Sequence, residues 1–235
     1  MFFNSAYAVN AGQRHTEEKK PCEDSAFAYA GFNSAFAVVC DGVGSRMYAR
    51  ETADCVVKHM YQLFETGKLF DMSEKECAES VNSAVKALGF PEKMMGSTLV
   101  CCAVRNNCVM SLHMGDGIIL ADFGDGFKTF SAPENGMYAN ETFFFPEEES
   151  VCNHLRVTKR EIQFPAAFIL ASDGVSDLLH DIEHDEPAAA CKKIKSLLNT
   201  SDSAEASEAL KAALSTVMSQ YSYDDQSIAA ISSIG

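Results

Sequence analysis

Asp41 follows the apolar run Phe36-Ala37-Val38-Val39-Cys40 and precedes Gly42, and Asp173 follows Phe168-Ile169-Leu170-Ala171-Ser172 and precedes Gly174. Two well-separated, strand-like runs thus end in the same Asp-Gly pair. Three further acidic points flank such runs: Glu23-Asp24 before Ser25 to Ala30, Asp116 between two runs, and Asp224-Asp225 before the last. Carboxylates gathered in one place repel one another and raise each other's pKa unless divalent cations neutralise them. Oxygen donors beside glycines, which expose backbone carbonyls, suit hard ions such as Mg²⁺ or Mn²⁺. Zinc is disfavoured, because the cysteines and histidines show no ligand spacing. One Asp-Gly pair alone is an ordinary turn signal. A pair of them with three more acidic strand ends points to a metal centre.

The elements that would position these acids are readable from periodicity. Short β-rich runs at Ser5 to Val9, Ser25 to Ala30 and Ala35 to Cys40 open the chain, the last two joined by a Gly/Asn turn as a hairpin. Helical spacing follows from Met47 to Phe64, and again from Ser73 to Leu88 with Ser73 and Glu76 as a capping box. Strand patterns return at Ser97 to Val104, Cys108 to His113, Gly117 to Asp122 and Phe127 to Phe130, read together as an antiparallel meander. Ser131 to Val157 reads as a long irregular excursion, usually functional, in which Phe143 to Phe145 either stand exposed to meet a substrate protein or form a local hydrophobic pack. A strand at Ala167 to Ser172, helices at Pro187 to Leu198 and Ala204 to Gln220, and a strand at Gln226 to Ile231 complete the chain. Asp177 is expected to open a helix as a cap, and His113 to be a core residue. This order predicts two sheets packed on each other with helices outside, an α+β chain forming one domain over 1–235.

Composition narrows the functional classes. The 235 residues carry 19 basic and 33 acidic side chains, a formal charge of −14, which argues against a nucleic-acid partner. Hydrophobic residues make up 47%, enough for a substantial core. Nine scattered cysteines without a CxxC pair read as free thiols in a reducing cytoplasm. No apolar run approaches membrane-spanning length, and Met1 to Val9 does not resemble a secretory leader. The expectation is a cytoplasmic monomer that does not engage a membrane.

The blocks Glu23-Asp24-Ser25, Phe36 to Ser45 (FAVVCDGVGS), Gly96 to Cys102 (GSTLVCC), His113 to Gly117 (HMGDG), Phe168 to Leu179 (FILASDGVSDLL) and Asp224 to Ile231 (DDQSIAAI) stand in an order that resembles the metal-dependent protein phosphatases, the type 2C serine/threonine family. The resemblance spans Ser5 to Ser232. The opening Gly12 to Ser25 and the segment Tyr138 to Thr142 are most similar to the short bacterial branch that consists of the catalytic domain alone. The resemblance implies a four-layer αββα sandwich of two antiparallel sheets, with two Mn²⁺ or Mg²⁺ ions in a cleft at one edge. Asp41 would bridge both ions and the Gly42 carbonyl would bind one; Asp173 and Asp224 would complete the first site. Asp24, with Glu23, would serve the second, and Asp116 with Asp173 a looser third. A water held between the ions would attack the phosphorus of a phosphoserine or phosphothreonine in a protein that a serine/threonine kinase has modified.

Several positions depart from the family pattern. Val43 stands where animal members carry a histidine, and Gly117-Ile118 replaces a Ser-Arg pair. The family's phosphate-binding arginine usually stands closer to the Glu-Asp pair than Arg14 does; Arg14, His15, Lys19 and Lys20 are the candidates, with Arg14 and His15 first. Thr98 reads as strand packing or as part of the site. Two rival functions stay open: a non-enzymatic binding module that keeps the fold, and a hydrolase of a small phosphate ester or nucleotide.

Overall fold

A computed structural model describes residues 1–136, 142–146, 153–181 and 184–234. The chain runs through β1 (Phe2–Asn10), α1 (Gln13–Glu18), β2 (Ser25–Gly31), β3 (Ser34–Cys40), α2 (Ala49–Glu65), α3 (Glu74–Lys86), β4 (Leu99–Arg105), β5 (Cys108–Met114), β6 (Ile118–Asp122), β7 (Phe127–Ser131), β8 (Arg156–Glu161), β9 (Ala167–Ala171), α4 (Asp173–Leu179), β10 (His180–Asp181), β11 (Glu186–Pro187), α5 (Ala189–Thr200), α6 (Ser203–Thr216) and β12 (Gln226–Ile234). One five-stranded sheet has the order β1-β12-β9-β6-β7 and the other β2-β3-β4-β5-β8. All the pairings in both are antiparallel.

Period-two alternation sorts each strand between two apolar layers. Phe36, Val38 and Cys40 of β3 pack with Val56, Met60 and Phe64 of α2 and with Cys77 and Val81 of α3. Their neighbours Ala35, Ala37 and Val39 face the other sheet, meeting Phe168, Leu170, Ala229 and Ile231. The opposite faces of β9 and β12, with Ile169, Ala171, Ile228 and Ala230, are covered by α4, α5 and α6 through Val175, Ile194 and Leu210. Three apolar layers between four layers of structure make the αββα sandwich. Burial of both sheet faces explains why the central strands read as continuous apolar runs.

The capping box at Ser73 and Glu76 forms as the sequence predicts. The expected meander is corrected: the chain leaves one sheet after β5 and enters the other at β6, so Gly115 to Gly117 is a crossover between sheets. A local pattern cannot distinguish a hairpin from a crossover, because both need only a Gly-rich turn. The excursion ends earlier than read, since Arg156–Glu161 pairs with β5 as an edge strand; its polar residues hid it. Asp177 does not open α4, whose N-cap is Ser172. His113 is fully buried, as expected. The eight described cysteines are free thiols, while Cys152 lies outside the described residues, as do Glu147 to Glu149 and Tyr138 to Glu141. Among the described residues no helix is long and apolar enough to cross a membrane.

Sheet register explains why the acids converge. Ser25 pairs with Cys40, so the start of β2 lies beside the end of β3, and Asp24 stands next to Asp41. Ile228 pairs with Ala171, which brings the start of β12 beside the end of β9 and Asp173. Leu99 pairs with Met114, while Ile118 pairs with Ala171, so the crossover carrying Asp116 reaches the same edge. Two stacked sheets therefore deliver Asp24, Asp41, Asp116, Asp173 and the Asp224-Asp225 pair to one side of the sandwich.

Candidate metal centre

At that edge lies a cleft of about 400 Å³, with Asp41, Asp116, Asp173 and Asp224 in its walls. Asp41, Asp116 and Asp173 each offer a carboxylate oxygen, and the three oxygens lie within 4.8 Å of one another. Asp224 stands exposed at the rim, its charge felt by both Asp116 and Asp173. Asp24 lies behind Asp41, only 5% exposed, accepting a hydrogen bond from the Ser227 hydroxyl at 2.6 Å across the two sheets. Gly42 lines the cleft beside Asp41. A Cβ at Gly42 would meet the Glu23 carbonyl oxygen at 2.5 Å, and one at Gly174 would meet the Asp225 carbonyl oxygen at 2.0 Å. The glycines that follow the two strand-end aspartates therefore permit these segments to touch.

The electrostatics of the cluster is unfavourable as it stands. Burial, then the charges of Asp24, Asp173 and Asp116, push the Asp41 carboxyl well above its ordinary range. Burial likewise raises Asp24 to about 7, against the lowering effect of the Ser227 hydroxyl. The Asp173 side chain opens on the cleft while protein atoms crowd its other sides; that crowding, then Asp116, Asp224 and Asp24, raise it to about 7. Asp116 is raised for the same first reason, and Glu23 by burial and then by Asp225 against His15. Among the described residues no lysine or arginine pairs with any of these five aspartates, and Asp116 Oδ1 and Glu23 Oε2 are buried without a hydrogen-bond partner. Among the described residues, an all-oxygen donor set with orphaned carboxylate oxygens and no lysine or arginine paired with its aspartates fits hard divalent cations.

The basic candidates occupy different places. Arg14 lines the cleft from the rim, its side chain 69% exposed and 3.9 Å from Glu18. His15 is tucked in: its Nδ1 lies 2.8 Å from Asp225 Oδ2 and its Nε2 3.7 Å from Glu23 Oε2. Lys20 pairs with Glu18 at 2.7 Å outside the cleft, and Lys19 caps the C-terminus of α1.

Two residues matter more than their sequence signals suggest. Asp225, 4% exposed, accepts from the Gly12 and Glu23 amides and engages His15, tying the whole 12–23 segment to the start of β12. The alternation of β12 contained that signal, since Asp225 stands two residues before Ser227 and four before Ala229, which face the other sheet. Thr98 brackets Asp41: its Oγ1 accepts from the Asp41 amide and its own amide donates to the Asp41 carbonyl, both at 2.9 Å.

The excursion is fastened to the cleft rather than displaying a free aromatic patch. Phe145 is fully buried and exchanges two backbone hydrogen bonds with Ser97. Phe143 stacks on His154 with ring centroids 3.4 Å apart, and Phe144 lies beneath the Arg46 guanidinium. Of the two readings of Phe143 to Phe145, local packing holds and a free contact surface does not, because each ring has found a partner.

Comparison with known proteins gives a consistent picture. The family model for protein phosphatase 2C matches residues 11–215. No curated protein sequence matches the chain. Among solved structures, PppA of Pseudomonas aeruginosa, described as a key regulatory component of T6SS, is 19% identical, with 98% of this chain and 97% of that one covered at a TM-score of 0.66. The catalytic domain of the serine/threonine protein phosphatase PstP in complex with two manganese ions is 17% identical, with 100% and 99% covered at 0.64. RsbX in complex with magnesium is 17% identical, with 98% and 95% covered at 0.60. At these identities the structures share the fold of this chain.

Proposed function

The chain belongs to the protein phosphatase 2C family, and from that premise we propose that it hydrolyses phosphoserine and phosphothreonine monoesters of proteins using two Mn²⁺ or Mg²⁺ ions. The observation that carries the reading is the gathering of carboxylate oxygens of Asp41, Asp116 and Asp173 within 4.8 Å of one another, with no lysine or arginine paired to them among the described residues. Asp41, Asp173 and Asp224, with the Gly42 carbonyl, would hold one ion; Asp41 again, with Asp24 and Glu23 behind it, would hold the other; Asp116 and Asp173 would offer a looser third site. When bound, such ions lower the pKa of water towards neutrality and stabilise charge on the phosphoryl oxygens. Arg14 at the rim is placed to meet the phosphate, and its exposed guanidinium can turn towards an oxyanion. His15 lines the cleft beside Arg14 with Nδ1 engaged by Asp225 and Nε2 3.7 Å from Glu23 Oε2, which leaves it as the second candidate to meet the phosphate.

A scaffold without activity would gain nothing from mutually repelling, crowded acids, which cost stability unless compensated. The test is turnover of p-nitrophenyl phosphate and of a phosphoserine peptide with Mn²⁺, set against nucleotides. The expectation is hydrolysis of both esters, abolition by chelator, and a loss of at least about a thousandfold in Asp41→Asn. Activity confined to nucleotides would favour the small-ester reading, and activity that survives in Asp41→Asn would defeat the metal centre.

A further inference from the structure

Between α6 and β12 the chain leaves three large apolar side chains in solvent: Val217 is 58% exposed, Tyr221 71% and Tyr223 74%. The strand that follows buries Ile228, Ala229, Ala230 and Ile231 completely. Single exposed apolar residues are ordinary, whereas a group of them marks a surface that meets something. The last of the three is also part of the cleft wall, together with Arg14, Asp41 and Asp224. The exposed segment therefore runs up to the candidate metal centre.

Tyr223 combines a fixed backbone with a free ring. The Arg14 amide donates to its carbonyl at 3.4 Å, a Cβ on Gly12 would stand 2.5 Å from that oxygen, and Asp224 follows directly. The ring has no such anchor. Among the described residues Tyr7, Tyr29, Tyr48 and Tyr61 each pack against another aromatic ring, while Tyr221 and Tyr223 have neither a ring partner nor a side-chain hydrogen bond. A tyrosine offers a large apolar face with few rotatable bonds, so a ring hung from a rigid backbone gains a contact at low entropic cost. Packing within the chain leaves the Tyr223 ring unexplained, and a ligand seated in the cleft would cover it.

We propose that Tyr223 is a specificity-determining residue that packs against an apolar side chain next to the phosphorylated residue, and so selects phosphopeptides with a large apolar flank. The inference rests on the phosphatase reading and specifies its substrate. A phosphoserine side chain is one methylene long, so seating its phosphorus over the acids brings the peptide backbone and the neighbouring side chains down to the mouth of the cleft. Tyr223 stands there beside Arg14. The phosphoserine is too short to cover the ring itself, and the contact falls to the flanking residue. Small or charged flanks leave the ring in water.

The test measures kcat/KM with Mn²⁺ on phosphoserine peptides that differ only beside the phosphoserine: alanine on both sides, phenylalanine before it, phenylalanine after it, and glutamate on both sides. A phenylalanine flank should raise kcat/KM about fivefold over alanine, the effect of burying roughly one methylene, mainly through KM and persisting in 0.5 M salt. Tyr223→Ala should bring the ratio of phenylalanine-flanked to alanine-flanked peptide close to one, while Tyr223→Phe, which keeps the ring, should retain it. The ratio is taken within each variant, so a loss common to all peptides through the neighbouring Asp224 cancels. A gain from only one placement of phenylalanine supports the subsite and fixes the direction of the peptide. Equal kcat/KM on the alanine and phenylalanine peptides, a preference that survives Tyr223→Ala or is lost in Tyr223→Phe, or a preference for glutamate over phenylalanine overturns the subsite and leaves the phosphatase reading intact. No turnover of any peptide overturns both.

Discussion

Two buried polar regions of this molecule obey opposite rules. Where β1 meets the α5–α6 corner, Asn4 is 5% exposed and makes four hydrogen bonds: its amide donates to Leu198 O at 2.7 Å and Ser201 O at 2.6 Å, and its Oδ1 accepts from the Ser5 amide and the Ser203 hydroxyl. The Ser207 hydroxyl donates to the Ser203 carbonyl and accepts from the Tyr7 amide, so α6 covers part of the free edge of β1. Across the sandwich, Asp41, Asp116 and Asp173 crowd together with their carboxyls pushed above the ordinary range, and Asp116 Oδ1 and the neighbouring Glu23 Oε2 are buried without partners. The first region is completed by the chain itself and serves folding. The second finds no completing group among the described residues, and that incompleteness is what supports reading it as the functional site.

The largest effect that would sharpen this contrast is on stability. Asn4→Ala leaves two carbonyls, an amide and a hydroxyl without their partner and should cost about 2–4 kcal/mol by denaturant unfolding. Asp173→Asn, by removing one of the mutually repelling charges, should leave the metal-free chain as stable as before or more so. If Asn4→Ala proves neutral while Asp173→Asn unfolds the protein, the assignment of structural and functional roles is reversed.

The next effect is the response to pH and metal. Asp24 and Asp173 have folded-state pKa values near 7, above the ordinary carboxylate value of 3.8. Their contribution to metal-free stability is therefore fullest below about pH 4 and is lost as pH rises through 7. A divalent ion reverses this by favouring the charged forms. Melting curves in chelator should show stability falling between pH 5 and 8, and Mn²⁺ at about a hundred times its Kd should restore about 2.7 kcal/mol at pH 8 and less at pH 5. The restoration should be smaller in Asp173→Asn. Equal stabilisation at both pH values would break the link between charge repulsion and metal binding.

How much of this was legible in the sequence differs between the two regions. The strand-end acids announced themselves, because Asp-Gly after an apolar run is visible in a window of seven residues. Register then did the remaining work of convergence, and local patterns could not see it: nothing around Gly115 to Gly117 signals that β5 and β6 lie in different sheets. Strand β8 escaped because Arg156–Glu161 is an edge strand without alternation, held by its pairing with β5. The Asn4 network was invisible for a related reason. Its partners at Leu198, Ser201 and Ser203 lie more than 190 residues away in the chain, and a lone Asn in a strand carries no signal of who will bond it.

The smallest effect concerns Thr98, which belongs to both regimes. Its hydroxyl completes a buried amide as Asn4 does, but the amide is that of Asp41, so the satisfied bond holds an unsatisfied carboxylate in place. Its methyl fills the space where a Cβ on Gly115 would stand, 2.7 Å away, and so it also supports the crossover that carries Asp116. Thr98→Val keeps the shape and removes the acceptor, leaving the Asp41 amide buried and unpaired at a cost of about 1–2 kcal/mol. If Thr98 positions the metal centre, the same change should weaken Mn²⁺ binding several-fold, and Thr98→Ser, which keeps the hydroxyl, should restore the affinity. A purely structural Thr98 would lower the melting temperature while leaving Mn²⁺ affinity, measured by calorimetry on the folded protein, unchanged. That result would place Thr98 with Asn4 and detach the clamp on Asp41 from the chemistry of the cleft.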